Sequence, residues 1–306
     1  MKRAPLLLIL AALAALALGA CRARTPGGGP LPVEGAPSTD IYLYRLGGIP
    51  LLSRGQLNNL TARRGYDNQP YWDGNSRLLY TSQHDGQFDI HAIDFESATI
   101  QRVTSTPESE YSGAPTPDNA AITVIRVEAD STQRLWRFPR DGSAPSPVLR
   151  DIKPVGYFAW LDTTTLALFV LGNPNSLQIA DTRTGEGRVA ANGIGRSLQR
   201  VPGGSKASFL HRVGTRWVLK TVDPTPRADG RFTIDSIAVM PDSADYVVWR
   251  SATELYTAAG SRILRMRLPA ARWEEVADLS GRGIRGISRL ALSPDGRRLA
   301  LVAQEP

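Results

Sequence analysis

Residues 66–90 read YDNQPYWDGNSRLLYTSQHDGQFDI. Bulky residues cluster on both sides of Asp85-Gly86, a dipeptide whose tolerance of positive φ suits a tight antiparallel turn. No 3.6-residue period runs through the stretch, so it reads as consecutive strands joined by turns. The pattern recurs along the chain. Working outward, the ends of the first strands fall near Trp72, Pro115, Trp160, Arg200, Trp249 and Leu292. A spacing of about 40–49 residues with several strands per unit is that of a propeller blade.

Call the four strands of a unit A to D. The B series runs at 77–81, 121–125, 166–170, 206–210, 254–256 and 299–302. The C series runs at 41–46, 89–94, 134–138, 177–181, 217–221 and 263–268. A weaker D series runs at 57–60, 100–103, 147–149, 187–190, 232–234 and 273–276. The chain therefore begins with C and D and ends with A and B. The two incomplete ends together make one blade, which predicts an all-β, six-bladed β-propeller closed by pairing N- and C-terminal strands. Asp118-Asn119 and Asp295-Gly296 supply A-to-B turns, and Asp141-Gly142 and Thr184-Gly185 supply C-to-D turns. Trp72, Trp160 and Trp249 recur at one blade position and read as packing between blades. Trp136, Trp217 and Trp273 fall in C or D strands.

Two further segments precede the repeats. Lys2-Arg3, the apolar run Leu6–Leu18 and Gly19-Ala20 form a secretory signal peptide, 1–20, too short to span a bilayer comfortably. Cys21 follows at once. Leu18-Gly19-Ala20-Cys21 resembles the bacterial lipobox, and that resemblance implies cleavage before Cys21 and acylation of its thiol and amine. Several acyl chains anchor stably. Arg22 stands where an Asp would resemble an inner-membrane retention signal, so the expected address is the outer membrane, facing the periplasm. Residues 21–39, rich in Gly and Pro, read as the lipidated Cys and a flexible tether, and 40–306 as the propeller domain.

Composition bounds the rest. Of 306 residues, 28 are Gly and 22 Pro, too few for collagen or wholesale disorder. One Cys excludes an intramolecular disulfide framework or a cysteine-based metal cluster. The formal charge is +7, but Lys2 and Arg3 leave with the signal. The remaining cations, nearly all Arg, are interspersed with acids and form no coherent patch, so nucleic acid is not an expected partner.

Tyr66-Asp-Asn-Gln-Pro-Tyr-Trp-Asp-Gly74, Leu79-Tyr-Thr-Ser82 and Asp89-Ile90 resemble the PD40, or TolB-like, WD40-like propeller repeat, and Ala291-Leu-Ser-Pro-Asp-Gly-Arg-Arg-Leu-Ala300 is its cleanest copy. The resemblance covers about 40–303. It is degenerate in the middle blades, where Arg200-Val-Pro-Gly203 and Trp249-Arg-Ser-Ala252 lack the Asp-Gly. It is specific for fold and weak for activity. TolB proteins carry an α/β domain before the propeller; only 18 residues separate Cys21 from the first strand here, so their partners are not carried over.

Motifs for chemistry are sparse. No Gly-x-Ser-x-Gly elbow, phosphate loop or dinucleotide fingerprint occurs, and no cofactor is expected. His84 and His91 flank a turn, where they are polar turn residues or, with Asp85 or Asp89, metal ligands; no metal is assigned. Glu108 and Glu110 are a solvated acidic loop or a carboxylate pair for acid/base work or Ca²⁺. One geometric argument remains. Residues three and four before each A anchor should ring the channel mouth. They are Asn68 and Gln69, Tyr111 and Ser112, Gly156 and Tyr157, Arg196 and Ser197, Asp245 and Tyr246, Ser288 and Arg289. With Asp67 and Glu110 beside them, they either hold ordered water or bind a ligand; Tyr and Arg favour binding hot spots. The leading expectation is a non-enzymatic scaffold whose mouth engages a protein or cell-envelope ligand. The alternative is a carbohydrate-active lyase or hydrolase with its site in the channel, using Glu108, Glu110, Asp245 or His84.

Overall fold

The computed structural model describes residues 37–47 and 57–304. The signal peptide, Cys21 and most of the tether lie outside the described residues. Twenty-four strands are arranged as six four-stranded antiparallel sheets, the six blades of a propeller.

The first two strands, β1 (Thr39–Arg45) and β2 (Leu57–Asn59), belong to the last blade. Blade 1 is β3 (Asp67–Asp73), β4 (Arg77–His84), β5 (Gln87–Asp94) and β6 (Thr99–Arg102). Blade 2 is β7 (Ser109–Pro115), β8 (Ala121–Val127), β9 (Gln133–Pro139) and β10 (Ser146–Pro147). Blade 3 is β11 (Val155–Trp160), β12 (Thr165–Val170), β13 (Ser176–Asp181) and β14 (Gly187–Asn192). Blade 4 is β15 (Ile194–Arg200), β16 (Ala207–Val213), β17 (Arg216–Val222) and β18 (Ile234–Val239). Blade 5 is β19 (Val247–Ser251), β20 (Glu254–Ala259), β21 (Arg262–Arg267) and β22 (Arg272–Asp278). Blade 6 starts with β23 (Arg289–Leu292) and β24 (Arg298–Gln304) and is completed by β1 and β2, in the order β2-β1-β24-β23. All seven residues of β1 pair with β24, from Thr39 opposite Gln304 to Arg45 opposite Arg298. The ring thus closes by strand pairing, which leaves no open seam.

The burial pattern follows the order of strands within a blade. B strands such as β12 and β24 are apolar and buried apart from polar end residues, because both faces meet neighbouring blades. D strands such as β6 and β22 are exposed edges, and β22 carries Arg272, Glu274, Glu275 and Asp278, charges that oppose edge-to-edge association. The core is therefore divided among the blade interfaces. Tyr42, Tyr44 and Leu301 of blade 6 pack with Val248 and Tyr256 of blade 5, and Tyr157 and Phe169 of blade 3 pack with Leu198 and Phe209 of blade 4.

The recurring tryptophans do what their shared position predicts. Each Nε1–H donates backward to the preceding blade: Trp72 to the Ala291 carbonyl (3.0 Å), Trp160 to Thr123 Oγ1 (3.0 Å) and Trp249 to Ser208 Oγ (2.8 Å). The D strand of blade 4 starts later than the 232–234 expected. Pro224 and Pro226 and a turn closed by Arg227 N–H on the Arg231 carbonyl occupy the preceding chain, with Gly230 at φ 77°. The strand then begins at Ile234.

Candidate functional site in the central channel

The A strands β3, β7, β11, β15, β19 and β23 are innermost. Their leading ends are tightly buried, and exposure rises toward their trailing ends in β11, β15 and β19. Five of the six A–B ladders contain a register shift, between Asn68 and Tyr71, Tyr111 and Ala114, Val155 and Tyr157, Ile194 and Leu198, and Trp249 and Ser251. Bulges of this kind re-aim side chains. At the first two, Gln69 and Ser112 take up φ of 56° and 55°, an uncommon conformation for residues with a Cβ. A hydrogen-bond web holds them: Gln69 Oε1 accepts from Thr81 Oγ1 at 2.7 Å and from the Ser112 N–H at 2.8 Å. Gly113 follows because a Cβ there would lie 2.8 Å from Ile90 Cγ2.

Residues from all six blades line a channel cavity of about 150 Å³. Of the residues expected at the mouth, Gln69, Ser112, Tyr157, Arg196, Tyr246 and Arg289 line it. Arg289 Nη2 donates to Tyr157 Oη at 2.8 Å, and its guanidinium carbon lies 4.8 Å from the Tyr157 ring centre and 5.5 Å from that of Tyr246. Arg196 Nη2 pairs with Asp245 Oδ2 at 3.0 Å and donates to the Ser288 carbonyl. Gln199 Nε2 donates to Tyr246 Oη at 3.3 Å. Tyr66 is buried at this end, and burial pushes its phenol up while Arg289 and Arg196 pull it down.

The other expected residues serve the leading-end structure. Asp67 Oδ1 accepts from Ser82 Oγ (2.6 Å) and Arg63 Nη2 (2.7 Å); burial raises its carboxyl against those two bonds. Asn68 Nδ2 reaches Thr39 Oγ1 at 3.3 Å, stitching blade 1 to blade 6. Tyr111 packs on Phe88, their ring centres 4.9 Å apart. Ser197 Oγ accepts the Val247 N–H at 3.1 Å. Glu110 is fully buried with Oε1 on Thr106 and 3.4 Å from Arg126 Nε, and burial pushes its carboxyl up to about 7. Glu108 shares Arg126.

His84 and His91 stack with ring centres 4.9 Å apart, His84 Nε2 lies 3.1 Å from Ser82 Oγ, and burial holds His91 down at about 4. Among the described residues no three His, Cys, Asp or Glu side chains are grouped as metal ligands. Glu108, Glu110, Asp245 and His84 do not line the cavity.

Sequence reasoning missed the trailing half of the lining: Tyr71, Phe158, Trp160, Gln199 and Arg200. Tyr71 is 47% exposed although it sits in a strand whose neighbours are buried. Tyr71 is the first paired residue after the bulge at Gln69, a placement that the sequence does not signal.

Neither a protein-family profile nor a curated protein matches the chain. Solved structures do. A TolB structure from Agrobacterium tumefaciens superposes with a TM-score of 0.66 at 13% identity, over 89% of this chain and 100% of that one. The fold is that of a TolB-like propeller. TolB from Acinetobacter baumannii matches at 0.51 and 19% identity, over 64% of this chain and 48% of that one, so the chain spans about half of that longer protein. The match is not confined to TolB-like propellers: a chain of a nidogen–laminin complex gives 0.55 at 11% identity, over 87% and 98% of the two chains. At these identities the likeness fixes the propeller architecture, and the site must be read from the chain's own residues.

Proposed function

We propose that the chain is a binding propeller, anchored to the outer membrane through acylated Cys21 and facing the periplasm, that engages a protein or cell-envelope ligand at its central channel. The observation that carries this reading is the channel cavity itself. All six blades contribute to it, and its lining is aromatic and guanidinium in character, with Tyr71, Trp160, Tyr246, Arg196, Arg200 and Arg289. The aromatic members supply contact area at little conformational cost, and the guanidiniums supply directional hydrogen bonds. The fold supports a scaffold role, and a structural relative comes from a complex between proteins.

The enzymatic alternative needs carboxylates facing a substrate. The carboxylates singled out for it are occupied elsewhere, Asp245 by Arg196 and Glu108 and Glu110 by Arg126, so the geometry favours binding. The test is crosslinking and pull-down of the full chain from bacterial envelopes, comparing wild type with Tyr71→Ala plus Arg200→Ala. These two residues stand at the exposed trailing end. Loss of captured partners in the variant is expected; an identical partner profile refutes the channel as the site. The anchor is read separately, by mass spectrometry of the mature N-terminus, where an unmodified Cys21 thiol refutes acylation.

A further inference from the structure

The channel holds a buried cation without a counter-charge. Arg289 is 5% exposed and lines the cavity, yet none of the ion pairs among the described residues includes it. Its contacts are one phenolic hydrogen bond to Tyr157 and the faces of Tyr157 and Tyr246. Cation–π contact with tyrosine is a weak substitute for an anion. Removing a guanidinium from water is costly unless its donors and its charge are met. Here Nε is buried without a hydrogen-bond partner.

Three more buried polar atoms on the same lining are in the same condition: Arg196 Nε, Gln69 Nε2 and Ser112 Oγ. Two of them, like Arg289 Nε, can only donate, and the serine hydroxyl can. Gln69 is itself 5% exposed, and its Oε1 is already committed to Thr81 and Ser112, which fixes the direction of its amide. The lining includes no Asp or Glu. Unmet donors therefore converge on a small cavity that carries net positive charge.

We infer that this cavity is a binding site for a monocarboxylate, with Arg289 as its charge partner and Gln69, Ser112 and Arg196 as accessory donors. The inference rests on the channel-binding reading above and names the chemistry the channel recognises. The charge balance selects a monoanion. Arg196 is neutralised by Asp245 and Arg200 stands exposed to solvent, so one buried positive charge remains, which matches a carboxylate better than a phosphate dianion. A cavity of about 150 Å³ takes a carboxylate and a small group attached to it. Tyr71, Phe158 and Trp160 offer that group flat apolar surface toward the trailing end. The carboxylate comes either from a small free acid or from the C-terminus of a peptide.

The test is calorimetric titration of the detergent-solubilised full chain with four probes: benzoate, glycyl-glycyl-phenylalanine, the C-terminal amide of that tripeptide, and inorganic phosphate. Binding of either free carboxylate, with the amide and phosphate weaker by about tenfold or more, is the expected result, because a charge-assisted contact is lost. Preference for benzoate over the tripeptide assigns the source to a small acid, and the reverse assigns it to a peptide end. Arg289→Met is expected to weaken the carboxylate probes by about tenfold or more while melting no lower than wild type without ligand, since an uncompensated buried charge has been removed. Arg289→Lys, which keeps the charge, is expected to retain part of the binding.

Equal affinity for acid and amide, preference for phosphate, no carboxylate binding to wild type, or undiminished binding by Arg289→Met each overturns the inference. Failure here with partner capture still lost in Tyr71→Ala plus Arg200→Ala leaves the broader binding role standing. Carboxylate binding with partner capture unchanged in that variant does the opposite.

Discussion

Glu110 makes a prediction that separates burial from charge pairing. Its side chain is fully buried at the leading end of β7, where Oε1 meets Thr106 and lies 3.4 Å from Arg126 Nε. Asp89, Thr104 and Glu108 surround the pair. Burial outweighs Arg126 and the threonine bonds, and the carboxyl rises from its ordinary 4.5 to about 7. In that pH interval the native state holds a proton that the unfolded chain has released, so stability falls as pH rises. At ~1.4 kcal/mol per pH unit, this single group removes about 3 kcal/mol between pH 4.5 and 7. Glu110→Gln keeps the shape and the acceptor for Thr106 without the titration. The variant should match wild type near pH 4, below the unfolded value, and exceed it by about 3 kcal/mol above pH 8. Urea unfolding of both proteins across this range, followed by tryptophan fluorescence, gives the difference directly. Parallel stability curves for the two proteins would refute the claim that burial governs this carboxyl, and a variant less stable than wild type at high pH would show that the Arg126 pair dominates.

Three other outcomes follow from the same packing. His91 has the opposite sign: burial holds it at about 4 against an ordinary 6.5, so stability rises through that interval, and His91→Phe should remove up to about 3 kcal/mol of that dependence in the same titration. Trp249→Phe loses the donor to Ser208 and should cost about 1–3 kcal/mol in urea unfolding at neutral pH; a change within error would show that the indole contributes only area. Deleting Arg298–Pro306 removes β24 and leaves β1 without the partner that closes the ring; gel filtration and circular dichroism should show loss of the compact, cooperatively melting state, whereas an unchanged melting temperature would refute closure as a stabilising device.

The fold was legible because a propeller repeats one local problem six times. Each B strand must be buried on both faces, so runs such as Leu166–Val170 and Leu299–Val302 are continuously apolar. Each hairpin needs a turn that tolerates positive φ, so Asp85-Gly86 and Asn119 mark its place, at φ of 50°, 83° and 56°. Even the closure was readable from the phase of the repeat at the two ends. The D strand of blade 4 was misplaced by two residues because prolines and a turn lengthen the preceding loop, and D strands are exposed edges with little apolar signal.

The site was less legible for a different physical reason. Counting back from each anchor assumes an unbroken two-residue alternation along the A strands. Bulges at Gln69, Ser112 and the matching positions of blades 3 and 4 break it, so some counted residues, such as Ser197 and Tyr111, turn into the blade interfaces. What gives the cavity its chemistry is also invisible in any local window. Arg289 meets Tyr157 across 132 residues of chain, and Arg196 meets Asp245 across 49. Sequence shows that two arginines precede two anchors; only the closed ring shows that one is neutralised and the other is not. At the leading end the Tyr157 and Tyr246 rings lie against Arg289, which still lines the cavity. At the trailing ends Tyr71 and Arg200 remain exposed, leaving an approach from that side.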